Sequence, residues 1–391
     1  MNGGMQRCFH IMHQLSKHFN LTAIIHQDKT SFLECVEEFP ALAKAKIYST
    51  EEVAVKDAFS LFPTKWEKAF RSRWYQRELN RPADGSLISY YHILIGLLKE
   101  KKFDAIILEN SLNAVKIVRR YDKKVKIIYN AHNVDANLAK AAFERKEITS
   151  NELKSCYDHE SNLYKKVNAI FTCSNDDRDV LDQMNNGQLK IAVVPNGVNI
   201  PEKKYNSAVS EEIPRFLLFC GSLWSVPNAE GLHWFCRKIW PQVLDQFPKL
   251  KLLVVGIGKL AEEYSDAYST PSTEFTGAVE DVKPYYNKAA ISIVPLLTGS
   301  GTRLKILEAM GMGVPIVSTS VGAEGIHYTS GNEIIIADEE REFADKVIAL
   351  LKDKNQREKI STEARKLAVS QYDWKVIGDK MADFLNKEIV H

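Results

Sequence analysis

The stretch that decides the fold is Gly299-Ser300-Gly301-Thr302-Arg303-Leu304-Lys305-Ile306-Leu307-Glu308-Ala309-Met310-Gly311-Met312-Gly313-Val314-Pro315-Ile316-Val317-Ser318-Thr319. Ahead of it, Ala290–Leu297 is an apolar run that reads as a buried strand. A glycine-flanked loop then opens a helix, Gly311 and Gly313 stop it, and Val314–Ser318 resumes a strand. This is one βαβ unit with an anion cradle at its first turn. The unsatisfied amides of a helix N-terminus point at whatever binds there, and the dipole favours negative charge. Arg303 and Lys305 add two positive charges within one turn. Glu308, a turn further on, suits a pair of sugar hydroxyls. The expected ligand is a phosphate-bearing sugar compound. Positions 303 and 305 are about 200° apart on a regular helix, so both face one ligand only if Arg303 belongs to the loop or the first turn.

Outward from this unit, apolar runs alternate with amphipathic stretches along the whole chain, as in α/β folds with parallel sheets. Strands are expected in the first half at 21–25, 105–108, 126–129, 169–172 and 191–194. In the second half they are expected at 216–219, 250–255, 272–275, 290–295, 316–318 and 334–336. At 391 residues the chain exceeds what one core usually serves. Two Rossmann-like domains facing across a cleft are expected: residues 1–200, a proline-bounded polar linker at 201–214, and residues 215–371. A C-terminal helix, 372–391, is expected to cross back to the first domain.

A net charge of +2 argues against nucleic-acid binding. Cysteines 8, 35, 156, 173, 220 and 236 are scattered without a Cys-x-x-Cys pair. They read as reduced structural thiols of a cytoplasmic protein, with no metal site. No apolar run reaches about 18 residues, and the start has no signal-peptide pattern.

Other constellations have bland and sharp readings. Gly221-Ser222 follows a strand and could offer amides to the same phosphate, with Asn228 capping the next helix. Gly256–Ala261 formally matches a dinucleotide pattern, but Lys259 and Glu262-Glu263 do not suit a pyrophosphate-binding helix. Asp177 and Asp179 resemble a metal-binding Asp-x-Asp pair, yet on a helix they point to nearly opposite sides, and capping explains them better. His132 sits at the carboxyl end of a strand, aimed at the crevice, although a lone histidine is more often structural. Residues 65–81 place Trp66, Phe70 and Trp74 on one helical face among lysines and arginines. That segment is either an ordinary surface helix or one lying on an anionic membrane.

With these pieces in order, the chain resembles the family-four (group 1) glycosyltransferases of the GT-B fold. The resemblance rests on Gly221-Ser222, Pro227-Asn228, Phe275–Val282, Gly301–Met310, Gly313–Thr319 and Gly322–Gly325. In the first half it rests on Gly3-Gly4, His132-Asn133 and Val194–Val198. It implies metal-independent, cofactor-free transfer of a sugar from a nucleoside diphosphate to a glycan or lipid-linked acceptor, with retention of configuration. Arg303 and Lys305 would neutralise the leaving diphosphate, and Glu308 would hold the ribose. Gly277 and Val279 would line the base, and His132 would touch the donor sugar. Gly3-Gly4 would form a loop near the phosphates; Ser300, Gly301, Thr302 and Leu304 would complete the donor cradle. Surface polysaccharide or glycolipid assembly, at the cytoplasmic face of the membrane, is the implied setting.

Two departures stand out. Ser300 occupies a place where the family often carries a glutamate. The first strand that normally precedes Gly3-Gly4 is missing, which points to a start roughly 15 residues upstream or to a compromised first domain. Competing readings are a nucleotide-sugar-binding protein without turnover, a nicotinamide-dependent oxidoreductase using Gly256–Ala261, and a non-hydrolysing sugar-nucleotide epimerase.

Overall fold

The computed structural model describes residues 3–26, 39–52, 85–202, 209, 214–258, 271–299 and 301–390. They divide into two compact units: Met1–Thr172 with Asp177–Val194 and Gly378–His391, and Cys173–Asp176 with Pro195–Ile377. The segment 65–81, read as a surface or membrane-facing helix, and Ser300 lie outside the described residues.

The second unit is built on six parallel strands: β7 (Phe216–Cys220), β8 (Lys251–Val255), β9 (Thr273–Gly277), β10 (Ile291–Val294), β11 (Ile316–Ser318) and β12 (Ile335–Ile336). Their order across the sheet is β12-β11-β10-β7-β8-β9. The chain therefore starts at β7, winds outward through β8 and β9, then returns to β10 on the other side. That reversal is the switch point at which open α/β sheets bind ligands. The central strands read as continuous apolar runs because helices cover both faces; all four residues of β10 are buried. One face packs against a cluster containing Phe235, Trp240 and Phe343, the other against Tyr286, Ile306 and Met310. The helix Leu304–Met312 ends on Gly313 in the left-handed region (φ 70°), where glycine carries no Cβ penalty.

In the first unit, β3 (Ala105–Glu109), β4 (Lys126–Asn130), β5 (Ala169–Thr172) and β6 (Lys190–Val193) form a parallel four-stranded sheet in sequential order. A separate parallel pair comprises β1 (Thr22–Ile25) and β2 (Lys46–Ser49). Ile24 of β1 nevertheless packs on the core that includes Ile127 and Ile170, so both ladders share one apolar interior. Strand β2 went unread in the sequence because four residues, only partly apolar, are too short for period-2 alternation to register.

Several boundaries differ from expectation. The chain passes from the first unit to the second at Val194/Pro195, not at 200. The stretch expected to be a linker belongs to the second unit where it is described. Val209 is buried, and its carbonyl accepts from the buried Arg357 guanidinium, which also donates to Leu350 and Leu351 carbonyls. Polar composition suggested a tether, but Arg357 and Arg365, the latter donating to the Pro201 carbonyl, fasten it. The terminal helix, Trp374–Leu385, begins in the second unit and rejoins the first from Gly378, six residues after the expected boundary. Gly3-Gly4 form the first turn of the helix Gly3–Leu15 and not a loop. Among the described residues, no helix is long and apolar enough to cross a membrane.

Candidate active site

In the second unit the turn that follows β7 and the helix that follows β10 come together. The turn after β7 starts with Gly221, whose amide donates to the Val255 carbonyl at 2.8 Å. A Cβ on Gly221 would lie 2.6 Å from Lys305 Nζ and 2.9 Å from Asn228 Nδ2, so a side chain here would displace the ammonium from the turn. A Cβ on Gly256, at the end of β8, would lie 1.9 Å from the Gly221 carbonyl oxygen. On Gly258 it would meet Trp224 at 2.9 Å. The Gly-x-Gly that mimics a dinucleotide signature is thus accounted for by close packing of the β8 turn on residues 221–224.

Beyond β10, Gly299 (φ 115°) and Gly301 (φ 80°) adopt conformations that disfavour side chains. They turn the chain so that Arg303 becomes the extended N-cap residue (φ −85°, ψ 105°) of the helix Leu304–Met312. Lys305 follows in its first turn. The helical phase problem posed by the sequence is solved this way, because Arg303 stands outside the helix. Its guanidinium folds back over Gly299, 2.7 Å from where a Cβ would sit. The two cations are close enough for Arg303 to help depress the Lys305 pKa.

Lys305 Nζ donates to Asn228 Oδ1 at 2.7 Å and lies 4.7 Å from the Phe219 ring centroid. Burial pushes its pKa down to about 8. Burial likewise raises the Glu308 carboxyl, against the opposing effects of Tyr286 and Lys305. The Tyr286 hydroxyl, itself buried, is 3.1 Å from Glu308 Oε2 and 3.2 Å from the Lys305 carbonyl. Cys220 is a neutral thiol at physiological pH, raised to about 11 chiefly by burial.

The other expected donor residues take varied places. Gly277 closes β9 in the left-handed region (φ 71°), and its carbonyl accepts from the Gly256 amide. Val279 and Leu304, both partly buried, pack against the unit's core. Thr302 abuts Gly325, where a Cβ would come within 2.9 Å of its hydroxyl. Ser222 presents its carbonyl to Asn228 Nδ2 at 2.8 Å. Asn228 is not the helix cap expected from the sequence. The helix Val226–Trp234 has Ser225 at its N-cap, and Asn228 lies one turn in, bridging Ser222 to Lys305. Tyr286 and this role of Asn228 escaped the sequence because neither residue type carries such chemistry until tertiary packing supplies its partner.

The first unit holds a second cluster at the carboxyl ends of β3 and β4. His132 Nε2 is 3.0 Å from Glu109 Oε2, and Asn130 Nδ2 donates to the same oxygen at 2.8 Å. Arg7 donates to Asn130 Oδ1 at 3.0 Å, while the Cys8 thiol is 3.6 Å from Glu109 Oε2. Ligand atoms of Cys8, Glu109 and His132 all lie within 4.8 Å of one another, a grouping their wide sequence separation had concealed. The Cys8 thiol is raised to about 12, first by burial and then by Glu109, and stays protonated at neutral pH. Glu109 could have been suspected by the rule that singled out His132, since both terminate or follow a strand. Asp177 and Asp179, by contrast, sit in the helix Asn175–Met184, where Arg178 pairs with Asp179.

Comparison with known proteins shows what this geometry is similar to. Residues 214–353 match the model of the group 1 glycosyl transferases. An uncharacterised 44.6 kDa protein in the cps region of Klebsiella pneumoniae is 32% identical over 168 residues, 41% of this chain and 43% of that protein. The matched segment thus spans less than half of that relative. Among solved structures, Anabaena HepE in complex with UDP and glucose superposes with a TM-score of 0.64 at 14% identity, covering 99% of this chain and 96% of that one. TarM, solved from S. aureus as a mutant, gives 0.63 at 11% identity over 97% and 96% of the two chains. The pneumococcal O-GlcNAc transferase GtfA with UDP and GlcNAc gives 0.56 at 16%, over 80% and 62%. The fold is GT-B, with two Rossmann-like units.

Proposed function

We propose that the chain is a retaining glycosyltransferase that moves a sugar from a nucleoside-diphosphate sugar to a glycan or lipid-linked acceptor. The observation that carries this reading is Lys305. Its ammonium sits at the switch point against an amide oxygen and an aromatic ring, and the described residues offer it no ion pair. A buried cation held by neutral partners is costly unless an anion completes it. Glu308 lies one turn away, at the spacing that lets one ligand present phosphate to the first and ribose to the second.

In the proposed reaction the bond from the anomeric carbon to the diphosphate oxygen breaks and the acceptor oxygen bonds to that carbon. Negative charge grows on the departing diphosphate, so Lys305, Arg303 and the amides of the Leu304 turn bind the transition state more tightly than the ground state. His132, steadied by Glu109, serves the transferred sugar. Retention rests on the resemblance to family-four enzymes. The role in surface polysaccharide assembly is favoured by the cps-region relative, and the UDP in HepE and GtfA makes uridine the first base to test. A cytoplasmic location with peripheral membrane contact through residues 65–81 completes the reading.

The test is a thermal-shift panel of uridine, guanosine and adenosine diphosphates and their sugars. A ligand at a hundredfold its dissociation constant adds about 2.7 kcal/mol, a rise of a few degrees for a chain of this size. No shift with any of them ends the proposal; a shift without turnover leaves a nucleotide-sugar-binding protein. Because two side-chain cations supply the neutralisation a divalent ion would otherwise give, turnover is expected to persist in excess EDTA. Loss of activity in EDTA, restored by zinc, would instead point to a metal centre, with Cys8, Glu109 and His132 the candidate ligands among the described residues.

A further inference from the structure

We propose that Asn228 is a positioning residue that holds the Lys305 ammonium at the switch point through a neutral acceptor, so that its charge stays uncancelled until a diphosphate arrives. The inference rests on the donor-site reading above and extends it to a residue outside the glycine loop. Asn228 is engaged at both ends. Its Nδ2 donates to the Ser222 carbonyl at 2.8 Å, which fixes the amide orientation and turns Oδ1 toward Lys305 Nζ at 2.7 Å. The same contact ties the turn after β7 to the helix after β10, the two elements that flank the switch point.

The groups facing Lys305 are Cys220 on β7, Arg303 at the N-cap, and Glu308 one turn along its own helix, with Tyr286 behind Glu308. Cys220 is neutral and Arg303 repels. The Glu308 carboxylate is shared with Tyr286 and is not in ion-pair contact with Lys305. Asparagine therefore does what aspartate, nearly identical in shape, would undo. A carboxylate at this position would neutralise Lys305 and repel the incoming phosphates.

The experiment measures binding by calorimetry from pH 6.5 to 9.5, using whichever of uridine, guanosine or adenosine diphosphate stabilises the wild-type chain. A terminal phosphate titrates near pH 6, and a uracil or guanine ring N–H titrates in the alkaline range, so the break is compared between variants with one and the same nucleotide, whose own titration is common to all of them. The folded-state pKa of Lys305 is depressed to about 8. The competent, protonated form is therefore full below that value, and affinity falls as pH rises through it. Asn228→Asp is expected to weaken binding at pH 7 by more than about tenfold and to move the alkaline break upward. Asn228→Ala removes the acceptor and is expected to move the break downward. A residue that merely shaped the turn would lower affinity in both variants without moving the break in opposite directions.

Unchanged affinity and break in Asn228→Asp, with wild-type binding intact and lost in Lys305→Ala, would overturn this inference while leaving the donor site standing. Wild-type protein that binds none of the three nucleotides removes both. Should Asn228→Asp not fold, Asn228→Ser and Asn228→Ala decide the matter. A break retained in serine and lowered in alanine supports the clamp, and equal breaks in the two overturn it.

Discussion

Lys305→Ala is expected to reduce turnover of the nucleotide sugar by roughly a hundredfold or more, about 3 kcal/mol of barrier, by analogy with the loss of one preset oxyanion donor. The expectation follows from where its charge sits. The ammonium is held against Asn228 and Phe219, withdrawn from water, where Coulombic terms exceed those in water. It acts on charge that develops only as the diphosphate departs, so kcat should fall more than KM rises. Folding should be retained or improved, because the substitution removes a costly buried cation. Arg303→Ala should produce a smaller loss, since its guanidinium lies at the N-cap, over Gly299. Steady-state kinetics with far-UV circular dichroism as a folding check would decide it. Wild-type kcat in Lys305→Ala would remove the cation from the mechanism.

The second large effect is on stability. Gly256→Ala is expected to destabilise the second unit by roughly 2–3 kcal/mol through overpacking. The added methyl would fall 1.9 Å from the Gly221 carbonyl oxygen, a backbone atom that cannot swing aside like a side chain. Relief requires separating the β8 turn from the β7 turn, which would drag Gly221 away from Lys305 and Asn228. Nucleotide affinity should therefore fall together with the urea midpoint. By contrast, alanine at Gly331, a left-handed glycine with open space around its Cβ position, should cost only its conformational strain, about 1 kcal/mol, and leave binding alone. A Gly256→Ala midpoint equal to wild type would show that the two turns are not locked as described.

Much of this was legible in the sequence because the second unit obeys local rules. Buried parallel strands announce themselves as apolar runs, and β7, β8, β10 and β11 lie within a residue or two of their expected places. Glycines at 299, 301 and 313 marked a loop, a second loop position and a helix stop, and all three have positive φ. The first unit was less legible. Its helix Gly3–Leu15 opens on two glycines that read as a loop, and β2 has no readable pattern, since both depend on packing against distant segments.

The side-chain partnerships were not legible at all. Nothing in a linear chain pairs Asn228 with Lys305, Tyr286 with Glu308, or Glu109 with His132. The sequence by itself determined the α/β class, the glycine turns and the presence of two cations and a carboxylate within six residues, because backbone sterics and hydrophobic periodicity act over short spans. Only the tertiary structure decided what each of those charges faces. Strand order places β7 beside β10, so a turn from residue 221 and a helix from residue 304 meet at one point. The electrostatics of a buried group depend on such neighbours in space, whatever their separation along the chain.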